Sequence, residues 1–423
     1  MHRERSAALT SACVTVACAA GLLALPGCDA ATLREVDIPD AGEADGGRMK
    51  PDAGAPDGGR MKPDAGPNGA PRVAPITQLD SDVGRYSAAI AVLPSGRVLV
   101  AGGLIVRMSF GTGQEAAEEY DLTSHTITAV GDLREGRSGA AATALPDGKV
   151  LITGGAGGPA GEQGLRRDTA ELYDPSTRTF TLLSARLVEA RAGHGAHLIE
   201  AGPHAGKVLL VGGDEPPLSA ELYDPGTQTF SALPNDGAPA GRESRHTLLA
   251  DGRVFVSGVR DSQDAAIDNY VYDPVAGTWR KTANFATARL HHAAARLPDG
   301  RVLVTGGAPD GSSAPLASAV VWDPNTDSFT DVGPMASARR FHGMAALGSG
   351  RVAVAGGQDG SAHLASVEIY DPDTERFTPA EGMLGLGRSA PSVFSLPDGR
   401  VVVLGGQGGR LSLIVATVDI VTE

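Results

Sequence analysis

Cysteine is nearly absent from this sequence of 423 residues. The three cysteines all stand near the N-terminus, at Cys13, Cys18 and Cys28. Residues 29–423 therefore cannot form a disulfide, a thiolate metal site or a cysteine nucleophile. Aromatic residues are also scarce at 4%, whereas glycine is abundant at 57 residues. This composition favours many turns and a core of small, closely packed side chains.

Blocks of basic residues and common catalytic motifs are missing as well. The formal net charge is -14, and an acidic chain without a basic block is poorly suited to nucleic acids or anionic membrane surfaces. We find no Walker phosphate loop, no His-Glu-x-x-His and no Gly-x-Ser-x-Gly. The sequence therefore predicts no nucleic-acid partner and gives no firm indication of catalysis.

The first residues are typical of an export signal. Arg3 and Arg5 supply positive charge, and residues 7–27 are almost wholly apolar or small. The run Leu25-Pro26-Gly27-Cys28 resembles a bacterial lipobox, although its proline departs from the usual small residue. We predict a signal peptide over residues 1–27 and lipidation of Cys28, which places the protein outside the cytoplasm on an outer membrane or cell surface. The alternatives are an ordinary secretory signal and a retained membrane helix, and the helix is disfavoured because the segment is short.

Residues 28–71 form a predicted tether. A decapeptide that begins at Asp45 recurs from Asp57, and glycine, proline, aspartate and alanine dominate the segment. Such a composition buries too little apolar surface to offset the entropy of ordering. We predict that the tether stays extended and that the lipid is the protein's only membrane contact.

Residues 72–423 repeat an apolar run that ends in glycine. Each run has a form such as Val302-Leu-Val-Thr-Gly-Gly307, and successive runs follow at intervals of 46 to 58 residues. The first glycines of the seven runs are Gly102, Gly154, Gly212, Gly258, Gly306, Gly356 and Gly405. In the fourth run Val259 replaces the second glycine. A period near 50 fits kelch-type blades better than the shorter Trp-Asp repeats.

Each repeat contains four short strand-like pieces. A small apolar strand, an Asp-Gly type turn and the glycine-ended run come first, followed by a strand ending in Tyr-Asp-Pro and a strand with an aromatic residue. Such sheets bury both faces when seven pack radially. The last repeat lacks a fourth strand, and Pro75–Leu79 resembles one. The sequence therefore predicts an all-β, seven-bladed propeller of four-stranded antiparallel blades, closed by an N-terminal strand.

The repeats resemble the kelch-repeat β-propeller family. The resemblance is carried by the Gly-Gly pairs, the Tyr-Asp-Pro strand and the downstream aromatic residue, and it covers residues 72–423. In kelch domains that bind acidic peptides, arginines line the binding pocket, so the resemblance implies a similar pocket here. Proteins of this fold also include galactose oxidase relatives, which use a cysteine crosslinked to tyrosine beside copper. No cysteine stands in residues 29–423, so that cofactor is excluded and we predict none.

An arginine precedes the first strand of every repeat. The topology directs these side chains to one mouth of the central channel, where permanently charged, planar donors suit carboxylates. The seven candidates for ligand binding are Arg85, Arg137, Arg191, Arg242, Arg289, Arg339 and Arg388. The alternative is a structural role, in which the arginines pair with carboxylates near the third strands. The candidate partners are Glu118, Glu171, Glu221 and Glu368.

Histidines near the same mouth invite a metal hypothesis. We call the seven arginines that precede the first strands the ring arginines. His194, His292 and His342 each lie three residues after a ring arginine, and His246 is nearby. They belong to different blades, and kelch repeats often carry histidine there as packing. The acidic run Asp323–Asp327 occupies an ordinary turn between strands. We therefore predict no metal site.

The function predicted is a non-enzymatic binding module for an anionic glycan or an acidic peptide or protein, acting as a monomer. One alternative is a carbohydrate-active enzyme of the sialic-acid mutarotase type, and a carboxylate in the channel beside two arginines would favour it. The other is a structural or adhesive envelope protein. The links from second to third strands vary most in length, at residues 104–110 and 156–168, and loops on a rigid scaffold often carry specificity.

Overall fold

A computed structural model of the chain describes ten stretches. They are residues 71–76, 87–105, 112–157, 165–214, 218–239, 244–260, 267–311, 313–408, 413–414 and 418–423, with the backbone of Val16–Cys18 and Gly21–Leu23. The latter two segments pair as antiparallel strands. The rest of the predicted signal, Cys28 and the tether up to residue 70 lie outside the described residues, as do Arg85 and Arg242.

Seven four-stranded antiparallel sheets form the blades of a propeller, and the described part of the chain contains no helix and hence no candidate membrane-spanning helix. Blade 1 consists of Ala89–Val92, Val98–Ala101, Ala117–Asp121 and Thr126–Ala129. Blade 2 consists of Ala141–Ala144, Val150–Thr153, Ala170–Asp174 and Thr179–Leu182. Blade 3 consists of Gly195–Leu198, Val208–Val211, Ala220–Asp224 and Thr229–Ala232. Blade 4 consists of Arg245–Leu248, Val254–Val259, Asp268–Asp273 and Thr278–Lys281. Blade 5 consists of Ala293–Arg296, Val302–Thr305, Ala319–Asp323 and Ser328–Val332. Blade 6 consists of Gly343–Ala346, Val352–Ala355, Val367–Asp371 and Arg376–Pro379. Blade 7 is Ser392–Ser395, Val401–Leu404, Val418–Thr422 and Arg72–Ile76.

Short strands occur in the links of the first and last blades. Leu104–Ile105 pairs with Thr112–Gly113, and Arg388–Ser389 pairs with Gln407–Gly408, which also pairs with Leu413–Ile414. In blade 4 the ladder between second and third strands shifts register between Val256 and Val259. The departure of this repeat from the Gly-Gly pattern thus appears as an extended second strand that runs to Val259.

The core lies between the blades rather than at the centre of the ring. The apolar side chains of the described residues form seven clusters, and each joins two neighbouring blades. The second strands are buried along their whole length, which explains why they are continuous apolar runs. Across the boundary of blades 4 and 5, Phe255 stacks on Trp322 with ring centroids 4.1 Å apart. Each blade therefore depends on its neighbours to bury both faces.

The ring closes through the N-terminal strand, as predicted. Arg72–Ile76 is the outer strand of blade 7 and pairs antiparallel with Val418–Thr422 in five registered pairs. The strand starts three residues before the predicted segment, and residues 77–79 lie outside the described residues. An ion pair between Arg72 and Glu381, 2.9 Å long, ties the same strand to the link between blades 6 and 7.

We expect deletion of residues 1–84 to abolish cooperative unfolding, whereas deletion of residues 1–71 leaves it intact. The longer deletion removes the outer strand of blade 7 and exposes Val418–Thr422 as an edge. The measurement is thermal and urea unfolding followed by circular dichroism. Equal melting temperatures for the two truncated chains would show that the strand is dispensable.

Candidate functional site

The arginine before each first strand forms a latch within its own blade. In blade 6, Arg339 Nη1 donates to the carbonyl of Gly356 at 2.8 Å, and Nη2 donates to the Ser366 hydroxyl at 3.0 Å. The same Nη2 meets Glu368 Oε1 at 2.6 Å, and both side chains are buried. Because the carboxylate stands on the third strand, the pair fixes the link before the first strand against the centre of the sheet.

The carboxylate of this latch is satisfied on both oxygens. Glu368 Oε2 accepts the backbone N–H of Ala336 at 2.6 Å, and Oε1 accepts that of Ser337 at 3.1 Å. Burial lowers the pKa of Arg339, and the charge of Glu368 opposes that shift. A buried ion pair that is also fully hydrogen-bonded is costly to break from one side only.

Three other blades repeat the arginine–carboxylate pair between buried side chains. The pairs are Arg137 Nη2 with Glu171 Oε1 at 2.9 Å, Arg191 Nη2 with Glu221 Oε1 at 2.8 Å, and Arg388 Nη2 with Asp419 Oδ2 at 2.6 Å. Three of the four carboxylate partners predicted from sequence are thereby confirmed, and the fourth, Glu118, would have to pair with Arg85, which is not described. Asp419 was missed because its strand lacks the Tyr-Asp-Pro pattern.

Blade 5 has the latch without the carboxylate. Arg289 donates to the Gly306 and Ser318 carbonyls at 2.8 and 3.0 Å and to the Ser318 hydroxyl at 2.8 Å. The position that corresponds to Glu368 is Val320. Burial lowers the pKa of Arg289 to about 10, so this guanidinium remains a cation at neutral pH.

The backbone of the same arginines holds neighbouring blades together. The N–H of Gly357 in blade 6 donates to the carbonyl of Arg388 at 2.7 Å, and Gly307 in blade 5 donates likewise to Arg339 at 2.9 Å. The first glycine of each pair lies against this carbonyl: a Cβ at Gly306, where φ is +59°, would overlap the Arg339 oxygen. Glycine is thus required for the close approach as well as for the left-handed φ.

The structure therefore places five of the seven predicted ligand-binding arginines in buried latches, at 4% exposure or less. This geometry agrees with the structural alternative. Direct ligand contact by these five arginines stays a prediction, and it would require the latch to open.

A cavity of about 440 Å³ lies at the channel mouth, within the size range of small-ligand sites. It is lined by the first strands and the residues before them, from all seven blades. Left-handed backbone occurs there at non-glycine residues, including Ser87, His291, Phe341 and Ala390. Backbone hydrogen bonds from blade to blade hold this rim, as from Phe341 N–H to the His291 carbonyl at 3.0 Å. Strained backbone held in this way is frequent at binding sites.

Three further arginines gather at one side of this mouth, in blades 4 and 6. Arg245 lines the cavity and donates from Nε to the His292 carbonyl at 2.9 Å. Arg340 lies over the Phe341 ring, with its Cζ 5.7 Å from the centroid, and donates to the Gly311 carbonyl at 3.0 Å. We call Arg245, Arg260 and Arg340 the mouth arginines.

His291 lies among the mouth arginines, and its ring stacks on Phe341 with centroids 4.0 Å apart. Burial first, and then the charges of Arg245, Arg340 and Arg260 in that order, together lower the pKa of His291 to about 3. The imidazole is therefore neutral, and the guanidinium charges that add to the effect of burial on its pKa would attract an anion.

Sequence reasoning missed the mouth arginines because they do not repeat. Arg245 stands three residues after Arg242, where blades 3, 5 and 6 have histidine; Arg340 directly follows Arg339, where blade 5 has Leu290. Arg260 follows Val259 in the blade that departs from the Gly-Gly pattern. A search for departures from the repeat, rather than for its constant positions, would have found all three.

The histidines after the ring arginines join blades. His194 Nε2 lies 2.9 Å from the Thr153 hydroxyl, and His292 Nε2 lies 2.8 Å from the Ser257 hydroxyl. His342 Nε2 lies 2.7 Å from the Thr305 hydroxyl. Each hydroxyl belongs to the preceding blade. Within the residues that the structure describes, no three His, Cys, Asp or Glu side chains are grouped to hold a metal ion. The packing alternative for these histidines agrees with this geometry.

A carboxylate in the channel would have favoured an enzyme. Among the described residues that line the cavity, none is aspartate or glutamate. Asp310 is near the mouth and acts on the charge of Arg340, but it does not line the cavity and accepts from the Ser313 N–H and hydroxyl at 2.7 Å. The described wall thus places no carboxylate for the mutarotase-type alternative.

The geometry defines a seven-bladed β-propeller, and comparison with known proteins refines the class. The Kelch motif family matches residues 338–384, which run from the latch of blade 6 to the following link. The chain is a kelch-repeat β-propeller. A search of curated proteins found no significant match. Kelch propellers serve generally as binding or interaction modules, and the chain has that scaffold.

Among solved structures, the chain resembles a fungal alcohol oxidase of the AA5 family solved in complex with copper. The TM-score is 0.64 with 16% sequence identity, and the match covers 80% of this chain and 74% of the oxidase chain. At this identity the likeness shows the fold alone. In the described part of the chain no three His, Cys, Asp or Glu side chains are grouped to hold a metal ion, and all cysteines precede residue 29.

We expect Arg339→Met to destabilise the protein by about 3–5 kcal/mol, because it leaves Glu368 buried without its cation. Arg289→Met should cost less, about 1–3 kcal/mol, because it leaves unpaired only carbonyl and hydroxyl groups. Urea unfolding measures both. The control is Arg400→Met, which breaks a partly exposed pair with Asp398 and should cost less than about 1 kcal/mol. Equal losses for Arg339→Met and Arg400→Met would contradict the latch.

The neutral buried histidines predict loss of stability in mild acid. The unfolded chain protonates histidine below about pH 6.5, whereas burial lowers the folded-state pKa of His292 to about 3 and that of His246 to about 3. The unfolded state thus binds more protons between these values, and the free energy of unfolding falls as the pH falls from about 6.5. Urea unfolding at a series of pH values checks this.

Glu221 and Asp419 act in the opposite direction, because burial raises their pKa. Comparison of the wild type with His292→Asn isolates the contribution of one imidazole. In the variant, the slope of the free energy of unfolding against pH should be smaller by about 1.4 kcal/mol per pH unit between roughly pH 4 and 6. His125→Asn, at an exposed position with left-handed φ that asparagine tolerates, is the control. An unchanged slope in His292→Asn would mean that this ring is already protonated in the folded state.

Proposed function

We propose that this kelch propeller is a binding module that receives an anionic group of a glycan or of an acidic peptide or protein at the channel mouth. The observation that carries the proposal is the cluster of mouth arginines beside a cavity whose described lining contains no carboxylate. An arginine bound to a carboxylate makes charge-assisted hydrogen bonds, which are about twice as strong as neutral ones. In an otherwise acidic chain, such a cluster is the surface to which an anion is drawn.

The latches support this proposal by fixing the rim. Arg289 precedes His291, and Arg339 precedes Arg340 and Phe341, so two latches hold the chain on either side of the stacked rings. A rim held in this way loses little conformational entropy when a ligand binds. The ring arginines thus act on binding by positioning the mouth arginines.

We also propose, from the sequence, that Cys28 and the tether hold the propeller outside the cytoplasm. The supporting features are the lipobox-like run ending in Cys28 and the duplicated, Pro/Gly-rich segment after it. The monomeric state and the lack of a nucleic-acid partner stay predictions from the sequence.

Titration calorimetry with hexaglutamate and with oligogalacturonate tests the proposed function. We expect salt-sensitive binding that weakens about 10- to 100-fold in Arg245→Met and Arg340→Met, because each change removes a charge-assisted hydrogen bond. Arg376→Met, an exposed arginine on the outer strand of blade 6, is the matched control and should bind as the wild type does. Binding that persists unchanged in both mouth variants, or no binding of either anion, would reject the proposal.

A further inference from the structure

The described lining of the cavity at the channel mouth mixes hydrogen-bonding side chains with small apolar ones. Its only charged side chain is Arg245, which lies on one side with Arg260 and Arg340 nearby. The neutral polar side chains come from five blades and the links before them. They are Ser87, Ser244, Ser392, His194, His246 and His342. Positive charge is thus confined to one side of the described lining, whereas neutral hydrogen-bonding groups are spread around it.

These neutral groups suit hydroxyls better than further anionic groups. Burial lowers the pKa of His194, His246 and His342 below the usual value of about 6.5, so the three imidazoles are neutral at pH 7. A neutral imidazole has one donor and one acceptor nitrogen, and a serine hydroxyl both donates and accepts. A sugar hydroxyl also does both, whereas a carboxylate only accepts. The second and third carboxylates of a polyanion would therefore meet no cation on the neutral side.

Two of the histidines have a ring nitrogen that the protein leaves unused. Nδ1 of His194 and of His342 is buried and has no hydrogen-bond partner in the described part of the chain. In blade 5 the equivalent residue, His292, does not line the cavity, and its Nδ1 donates to the Arg289 carbonyl at 2.6 Å. A buried polar atom without a partner costs free energy. A ligand hydroxyl that the ring turns to meet would remove this cost.

We infer that the cavity takes one sugar acid, with its carboxylate at the mouth arginines and its hydroxyls at the serines and histidines. This rests on the proposed function, because the carboxylate is the anion that the mouth arginines receive, and it selects the glycan from the partners proposed there. Ala140, Met344 and Val393 offer methyl and methylene groups to the C–H face of the sugar ring. A volume of about 440 Å³ is large enough for one such ring.

The test is calorimetry of the purified protein with three ligands that share a six-membered ring. Galacturonate carries the carboxylate and the hydroxyls, its methyl ester keeps the hydroxyls without the charge, and cyclohexanecarboxylate keeps the charge without the hydroxyls. We expect galacturonate to bind at least 10-fold more tightly than either of the others. The ester lacks the charge-assisted hydrogen bonds, and cyclohexanecarboxylate lacks several neutral ones.

His342→Gln tests the imidazole, because the glutamine amide can keep the contact with the Thr305 hydroxyl while the polar atom at the Nδ1 position is lost. It should weaken galacturonate binding about 3- to 10-fold and leave cyclohexanecarboxylate binding unchanged. His194→Gln makes the same change before blade 3 and should have the same effect. The control is His363→Gln: Nδ1 of His363 is also buried without a partner among the described residues, but this histidine does not line the cavity.

Cyclohexanecarboxylate that binds as tightly as galacturonate would overturn the inference, as would galacturonate binding that is unchanged in both cavity variants. If hexaglutamate binds and galacturonate does not, the inference fails while the proposed function stands; if no anion binds, both fail. Trigalacturonate distinguishes the two sources of this chemistry. An affinity equal to that of galacturonate assigns the end of a glycan chain, and an affinity at least 10-fold weaker assigns the free sugar acid.

Discussion

The buried arginine latch is the interaction on which the rest of the ring depends. Its guanidinium joins the link before the first strand to the second and third strands, and its carbonyl accepts the glycine N–H of the preceding blade. One residue thus secures both the inside of a blade and its boundary. The requirement for Gly-Gly pairs follows, since a side chain at Gly306 would displace the Arg339 carbonyl.

Most of the fold could be predicted because it repeats. The apolar runs mark second strands buried on both faces, and the Tyr-Asp-Pro pattern marks third strands, so seven copies fix the blade number and order. The closing strand was predicted from a missing partner, but its start was placed three residues late. A five-residue strand has few side chains with which to define its register, and its pairing with Val418–Thr422 supplies the rest.

The site was less predictable for the same reason. Periodicity identified the ring arginines, which the ring needs in every blade, and it gave no weight to Arg245, Arg260 and Arg340, which occur once each. It also could not separate a guanidinium facing the channel from one facing a carboxylate, because both have the same spacing in sequence. The complete burial of Arg339 and Arg388, with 0% of each side chain exposed, is decided by tertiary packing. In a repeat scaffold, constant positions report assembly and exceptional positions report recognition.

The closing strand has a mechanical consequence. Tension on the chain upstream of residue 72 is transmitted to blade 7 and not to blade 1, although blade 1 follows in sequence. The load falls in shear on five backbone pairs with Val418–Thr422, and the Arg72–Glu381 pair and the Val73–Glu381 backbone hydrogen bond share it with the link from blade 6. Under tension, the strand Arg72–Ile76 would therefore detach first, and its detachment would open the ring of blades.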